Sequence, residues 1–111
     1  MAEIRFQVQG SAAEPYSVLF RRGENGNLTA LCSCPAGVMG QYCKHRFRIL
    51  AGEGDGIVSG NAHEAAIVLS WLPGSDVESA IAALTAAERE FEDAKKKAAA
   101  AKKKLARVMQ D

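Results

Sequence analysis

All three cysteines of this chain lie close to one of its two histidines, in a pattern that can hold a metal ion. The residues are Cys32, Cys34, Cys43 and His45, with the spacing C-x-C-x8-C-x-H. Thiolates and imidazole are ligands that zinc prefers, and a structural zinc site takes four of them in a tetrahedron. The loop between the two pairs, PAGVMGQY, contains two glycines and a proline and can bend around an ion. The spacing therefore predicts one structural zinc ion bound by these four residues.

Other roles for these three cysteines and His45 would leave some of the four residues unexplained. Free cysteines often serve as small core residues, but chance rarely places all three in so short a segment. Cys32 and Cys34 are too close for a relaxed disulfide, and three cysteines leave one unpaired. A catalytic thiol with a histidine base would need only one cysteine. Because no set of nucleophile, base and oxyanion donor can be assembled, we expect neither enzymatic activity nor a small-molecule substrate.

The ligand pattern and its flanks resemble the SWIM-type zinc finger, in which C-x-C is followed by a variable loop and C-x-H. CSCPAG leaves a strand-like segment, and YCKH leads into a helix-like one. The resemblance covers roughly residues 3–52 and implies a small unit of two β-strands and a helix, with the same four ligands. SWIM-type fingers are thought to bind DNA or proteins, so the resemblance implies either class of partner.

Alternating hydrophobicity predicts three strands before and up to the first ligand pair. Apolar and polar residues alternate over residues 4–8 and again from residue 16, the period of a half-buried strand. GENG at residues 23–26 predicts a tight hairpin turn, after which residues 28–31 return as a third strand. Residues two apart share one face of a strand. The C-x-C pair can therefore direct both sulfurs toward one point.

The second ligand pair requires a different local structure. Residues two apart on an α-helix lie about 200° apart around its axis, so Cys43 and His45 must sit at the beginning of a helix. We expect this helix to end near residue 51, with Gly52 as its stop. Its predicted buried stripe consists of Phe47, Leu50 and Ala51.

The remainder of the chain predicts two further helices, which makes the fold class α+β. Residues 1–52 would form the zinc-finger module, and the glycine-rich residues 53–60 a loop or linker. Residues 61–72 predict an apolar helix with a capping box of Asn61 and Glu64 and with Trp71 in the core. A second capping box, Ser75 with Glu78, predicts a long helix over residues 75–110.

Apolar residues follow a 3-4 repeat along this last helix, as in a coiled coil. The positions are Val77, Ala80, Leu84, Ala87, Phe91, Ala94, Ala98, Ala101, Leu105 and Val108. The pattern predicts self-association through residues 76–110, and the acidic and basic halves favour antiparallel pairing. A solvated helix rich in alanine and lysine remains the alternative.

Basic residues cluster locally, although the net charge is only +1. Around the zinc motif they could contact phosphate or only offset the charge of the thiolates. Two lysine triplets seven residues apart form a stripe on the last helix that could attract a phosphate backbone or remain solvated. The candidate contacts to nucleic acid or another partner are Arg21, Arg22, Tyr42, Lys44, Arg46, Arg48, Lys95, Lys96, Lys97, Lys102, Lys103 and Lys104.

Together these features predict a zinc-stabilised binding module that contacts nucleic acid, proteins or both, with the last helix mediating association. The alternative is a protein-interaction adaptor that binds no nucleic acid. The first residues show no apolar signal segment, and no apolar run approaches the ~20 residues that cross a bilayer. Thiolates suit a reducing compartment. We therefore expect a cytoplasmic location and no membrane partner.

Overall fold

Three antiparallel strands form a sheet in the order β1-β2-β3, in a computed structural model that describes residues 2–111. The strands are β1 (Ala2–Val8), β2 (Tyr16–Arg22) and β3 (Leu28–Cys32). The tight turn at residues 23–26 joins β2 to β3, with Gly26 at φ 83°, a conformation that glycine adopts without strain. The predicted strands and the hairpin are confirmed.

One face of the sheet forms the core. Phe6 and Val8 of β1 are buried on either side of the exposed Gln7, and Val18 and Phe20 of β2 are buried on either side of the half-buried Leu19. The rings of Phe6 and Phe20 meet edge to face with centroids 6.0 Å apart, a favoured aromatic geometry. The predicted alternation therefore places the apolar residues on the face that the helices cover.

Four α-helices follow the sheet: α1 (Pro35–Val38), α2 (Lys44–Leu50), α3 (Ala65–Trp71) and α4 (Asp76–Gln110). A 3-10 turn, Ala62–Glu64, precedes α3. Chain contacts divide the described residues into a unit that ends at Glu78 and a unit from Ser79 to Asp111. The α+β fold class with a long C-terminal helix is confirmed.

The second helix begins and ends where the sequence predicts, but its buried stripe differs. Leu50 is buried and Phe47 packs against the core, as expected. Ala51 is exposed, however, and Ile49 is buried in its place. The prediction of Ala51 was wrong because residue 51 already lies beyond the last helical turn. Gly52, at φ 84°, ends the helix.

Residues 53–60 lie along the outer edge of β1. Gln9 N–H donates to Gly56 O at 2.8 Å, and Val58 N–H donates to Gln7 O at 2.8 Å. Ile57 forms a bridge with Val8. These bonds satisfy backbone groups that an open sheet edge would otherwise present to other chains.

The two predicted capping boxes have different outcomes. Asn61 Nδ2 donates to Glu64 Oε1 at 3.0 Å, but the Asn61 side chain caps no backbone N–H. Ser75 does cap its helix, because Oγ accepts from Glu78 N–H at 3.2 Å while Glu78 Oε1 accepts from Gly74 N–H at 3.0 Å. The serine half of the second box therefore forms as predicted, whereas Glu78 accepts from Gly74 because the backbone N–H of Ser75 already donates to Leu72 O.

The third helix is buried on one face only. Ala65, Val68 and Trp71 belong to the core, which confirms the prediction for Trp71. Ile67 and Leu69 are exposed, so only one face of this largely apolar helix is covered. The apolar composition of seven residues conceals an ordinary amphipathic helix.

The long helix α4 runs through 35 residues without a break. Strong helix formers make up most of it, and it contains neither Pro nor Gly. Among residues 2–111, no single helix is long and apolar enough to cross a membrane, and α3 and α4 reach that length and hydropathy only as a pair across the break at Pro73.

Candidate metal centre

Each metal-binding candidate sits where one element ends or another begins. Cys32 is the last residue of β3. Cys34 is the N-cap of α1, and Cys43 is the N-cap of α2 with extended backbone angles. His45 follows in the first turn of α2. The structure therefore confirms that the second pair lies at a helix start rather than within a helix.

The four side chains converge on one point. Their ligand atoms all lie within 4.8 Å of one another. Cys34 Sγ and Cys43 Sγ are 3.4 Å apart, and His45 Nδ1 lies 3.5 Å from Cys43 Sγ and 3.8 Å from Cys32 Sγ. Bond lengths of about 2.3 Å to sulfur and 2.0–2.1 Å to nitrogen give tetrahedral edges of about 3.5–3.8 Å. The residues present therefore fit a tetrahedral metal ion, with His45 contributing Nδ1.

Glycine is required at one position beside the cluster. Gly37 N–H donates to Cys34 Sγ at 3.3 Å, a bond that orients the ligand sulfur. A side-chain carbon on Gly37 would fall well inside contact distance of Cys32 O, a backbone atom. The first turn of α1 can therefore lie this close to the end of β3 only with glycine at position 37.

The cluster shifts the acidity of two thiols in opposite directions. Burial raises the pKa of Cys32 to about 12, and contacts with the Cys34 and Cys43 sulfurs add to this effect against the backbone N–H of Cys34. Burial acts in the same direction on Cys43. There the backbone N–H of Arg46 and the side chains of Cys34, His45 and Cys32 outweigh it and lower the pKa to about 6. Three crowded sulfurs disfavour simultaneous ionisation, and a bound cation reverses that preference.

The loop between the ligand pairs is held by Arg46. Its guanidinium donates to Ala30 O at 3.1 Å and to Gln41 O at 2.6 Å, so it ties β3 to the end of the loop. Beside it, the rings of Tyr42 and Phe47 stack with centroids 4.4 Å apart and 9° between planes. Both features fix the approach of the chain to Cys43.

Two clefts border the cluster and share Ser11, Lys44 and His45. One, of about 400 Å³, is lined by Lys44 and Arg48 from adjacent turns of α2 and by Asp55. The other, of about 520 Å³, is largely apolar and lies beside Cys34 and Cys43, with Tyr16 and Tyr42 in its wall. His45 therefore sits between a basic cleft and an aromatic one.

The contacts of His45 outside the cluster involve residues that sequence reasoning did not identify. Its ring lies 5.1 Å from the Tyr16 ring. A side-chain carbon on Gly10 would come within 3.1 Å of His45 Nε2 and 2.6 Å of Tyr16. No local pattern marks Gly10 or Tyr16 as neighbours of a ligand, because the sheet brings them there from distant sequence positions.

The remaining candidate contacts lie in varied surroundings. Arg21 donates to Glu3 across the β1–β2 pair at 3.0 Å, whereas Arg22 is exposed. The side chains of Lys95, Lys96, Lys97, Lys102, Lys103 and Lys104 are exposed on α4. Lys95 also lies 3.7 Å from Glu92 and 5.5 Å from the Phe91 ring centre.

The cluster supplies a complete set of four protein ligands, which is characteristic of structural metal sites rather than catalytic ones. Comparison with protein-family models, with curated proteins and with solved structures gives no match for this chain. The metal-binding assignment therefore depends on the geometry of these four residues.

Proposed function

We propose that this chain is a zinc-stabilised binding module whose metal-centre face contacts the phosphate backbone of nucleic acid, with α4 mediating association. The observation that carries the proposal is the convergence of three sulfurs and one imidazole nitrogen to within 4.8 Å of one another, with three of their separations at 3.4, 3.5 and 3.8 Å. The resemblance of the C-x-C-x8-C-x-H pattern to SWIM-type fingers supports both zinc and this class of function. With all four positions filled by protein, the proposed zinc has a structural rather than a catalytic role.

Support for a nucleic-acid face comes from Lys44 and Arg48. Both are exposed, both line the basic cleft, and neither forms an ion pair with any of residues 2–111. Arg46, between them, donates its two terminal nitrogens to backbone carbonyls. The cations available for phosphate around the metal centre are therefore Lys44 and Arg48, beside the exposed ring of Tyr42.

Zinc content provides the first test. The purified protein should contain one zinc ion per chain by elemental analysis, and its thiols should react only after a chelator is added. Less than one zinc after gentle purification, with all three thiols freely titratable, would contradict the zinc assignment.

Salt-dependent binding provides the second test. Fluorescence anisotropy should detect binding to a single- or double-stranded oligonucleotide that weakens steeply between 50 and 200 mM salt, since cations released from phosphate drive such binding. Lys44→Gln with Arg48→Gln should weaken binding and flatten this dependence. Arg5→Gln with Arg89→Gln removes the same charge from residues that line neither cleft, and this control pair should weaken binding less. Equal effects of the two pairs would indicate only a general charge attraction.

A second candidate function is a protein-interaction adaptor. It is favoured by large apolar side chains that α4 exposes, including Phe91 and Leu105. The same anisotropy experiment separates the two functions, because an adaptor should bind neither oligonucleotide at either salt concentration.

A further inference from the structure

The helix α4 presents a regular apolar face that the described residues leave open. Leu84, Phe91 and Leu105 are 40%, 63% and 58% exposed, and they fall at the same position of a seven-residue repeat. Val77 occupies this position one repeat earlier, but it packs against the core of the unit that ends at Glu78. The open face therefore begins at Ala80 and continues to Val108.

We infer that this face binds the α4 helix of a second copy of the chain, antiparallel and in a single register. The inference rests on the association proposed above and adds its partner, orientation and alignment. Two independent properties of the helix support it: the sizes of the side chains along the face, and the charges that flank it.

Side-chain size favours the antiparallel arrangement. In an antiparallel helix pair, each first-position residue of the repeat faces a fourth-position residue of the partner. Full overlap pairs residues whose numbers sum to 185, which gives the layers Leu105–Ala80, Leu84–Ala101, Phe91–Ala94 and Ala98–Ala87, each occurring twice by symmetry. Leu84, Phe91 and Leu105 each then meet an alanine, so the helices keep a nearly even separation between residues 80 and 105 and can pack closely. Val108 falls opposite Val77, which packs against the core, and lies outside these layers.

A parallel pair in register would pack unevenly. Leu84, Phe91 and Leu105 would each meet its own copy, and the alanine layers between them would face one another. The bulky layers would hold the helices apart and leave space at the alanines, which loses dispersion contacts.

The flanking charges favour the same antiparallel register. The fifth and seventh positions of the repeat flank the apolar face. On an antiparallel partner, fifth-position residues face fifth-position residues and seventh-position residues face seventh-position residues. In the register whose apolar layers sum to 185, the flanking pairs are Glu88 with Lys95 and Glu90 with Lys97, and each pair occurs twice. Lys102 and Lys104 face the uncharged Ile81 and Ala83. Between residues 80 and 105 all the flanking charge pairs are therefore attractive.

Parallel pairing would mix attraction with repulsion. Glu90 would face Lys95 of the partner, but Lys97 would face Lys102, and Glu88 would face Ala83. Opposite charges near a seam select partner and orientation. The two orientations consequently predict different changes in dimer affinity when the charge of residue 88 or residue 102 is reversed.

Three variants of the full, zinc-loaded chain test the inference by sedimentation equilibrium at low salt. Glu88→Lys should weaken the dimer roughly tenfold, because two attractive pairs become repulsive. Adding Lys95→Glu should restore most of the affinity. Lys102→Glu should change the dimer affinity less than about twofold, because residue 102 faces the uncharged Ile81. Glu88→Lys also replaces a repulsion with Glu92 one turn away by an attraction, so helix loss cannot explain a weaker dimer.

The outcomes separate this inference from the proposed association. A wild-type chain that is monomeric at tens of micromolar overturns both. A dimer that tightens with Lys102→Glu, ignores Glu88→Lys and weakens in the double variant is parallel, so the association stands and the antiparallel inference fails. Weakening by Glu88→Lys without rescue by Lys95→Glu overturns the register. Circular dichroism of each variant confirms that α4 remains helical.

Discussion

At the scale of single residues, the metal centre depends on close approaches that only particular side chains allow. Cys34 Sγ accepts a hydrogen bond from the backbone N–H of Gly37, and the same glycine lies against the Cys32 carbonyl. Arg46 holds the loop end through two carbonyls. Within the folded unit these contacts orient the ligand atoms toward one point, as groups around a metal site commonly do.

We predict that Gly37→Ala weakens both zinc affinity and stability. The added methyl group meets Cys32 O, a backbone atom that cannot rotate away, so β3 and α1 must separate. Overpacking of this kind costs about 1–3 kcal/mol. Competition with a chromophoric chelator measures the affinity, and urea unfolding of the zinc-loaded protein measures the stability.

Gly23→Ala is the matched control for that substitution. It makes the same change in the unfolded chain, but its nearest neighbour at 3.1 Å is the side chain of Asn25, which can move. We expect it to alter stability by less than about 0.5 kcal/mol. Equal losses in the two variants would argue against the contact with the Cys32 carbonyl.

At the scale of elements, α4 is fixed at its start by contacts to the β2–β3 hairpin. Leu28 N–H donates to Asp76 Oδ1 at 3.0 Å, and Asp76 N–H donates to Asn27 Oδ1 at 3.0 Å. Ser75, only 3% exposed, caps the same turn. The beginning of the helix therefore belongs to the core structure of residues 2–78.

Substitution of Ser75 by alanine should destabilise this unit by about 1 kcal/mol. It removes the acceptor of the Glu78 N–H and the donor to Leu72 O at 2.7 Å, and loss of such a cap typically costs this much. Ser79→Ala makes the same chemical change at an exposed site in the helix and should be neutral or slightly stabilising. Urea unfolding monitored by Trp71 fluorescence compares the two, and a neutral Ser75→Ala would show that the cap contributes little.

Elements with a strong local signal could be predicted from sequence, and those that depend on distant partners could not. Alternation identified β1 and β2, and ligand spacing identified the start of α2. By contrast, the segment EGDGIVSG carries no periodicity, although Ile57 bridges Val8 at the sheet edge. Similarly, nothing in the residues around Arg46 indicates that its guanidinium donates to two backbone carbonyls. Such contacts arise from tertiary structure, which local pattern does not encode.

At the scale of the whole molecule, the two units of the chain are stabilised in different ways. The unit that ends at Glu78 includes Cys32, Cys34 and Cys43 in its core, so its packing and its metal centre are one structure. The helical residues from Ser79 onward bury no side chain and derive their order from strong helix propensity over many turns. The two units should therefore respond differently when the metal is removed.

We predict that a strong chelator unfolds residues 2–78 and leaves most of α4 helical. Structural zinc contributes roughly 10–16 kcal/mol of apparent binding free energy, as much as the entire stability of a small domain. Trp71 is the only tryptophan and is 7% exposed, so its emission should shift to the red and report the first unit alone. The circular dichroism at 222 nm should fall only modestly, because α4 provides most of the helical residues.

Cys34→Ser should reproduce the unfolding of residues 2–78 without chelator, and added zinc should reverse the unfolding only in the wild type. Hydrogen exchange gives the decisive measurement: retention of slow exchange in β1, β2 and β3 without metal would show that the core of residues 2–78 folds independently of zinc.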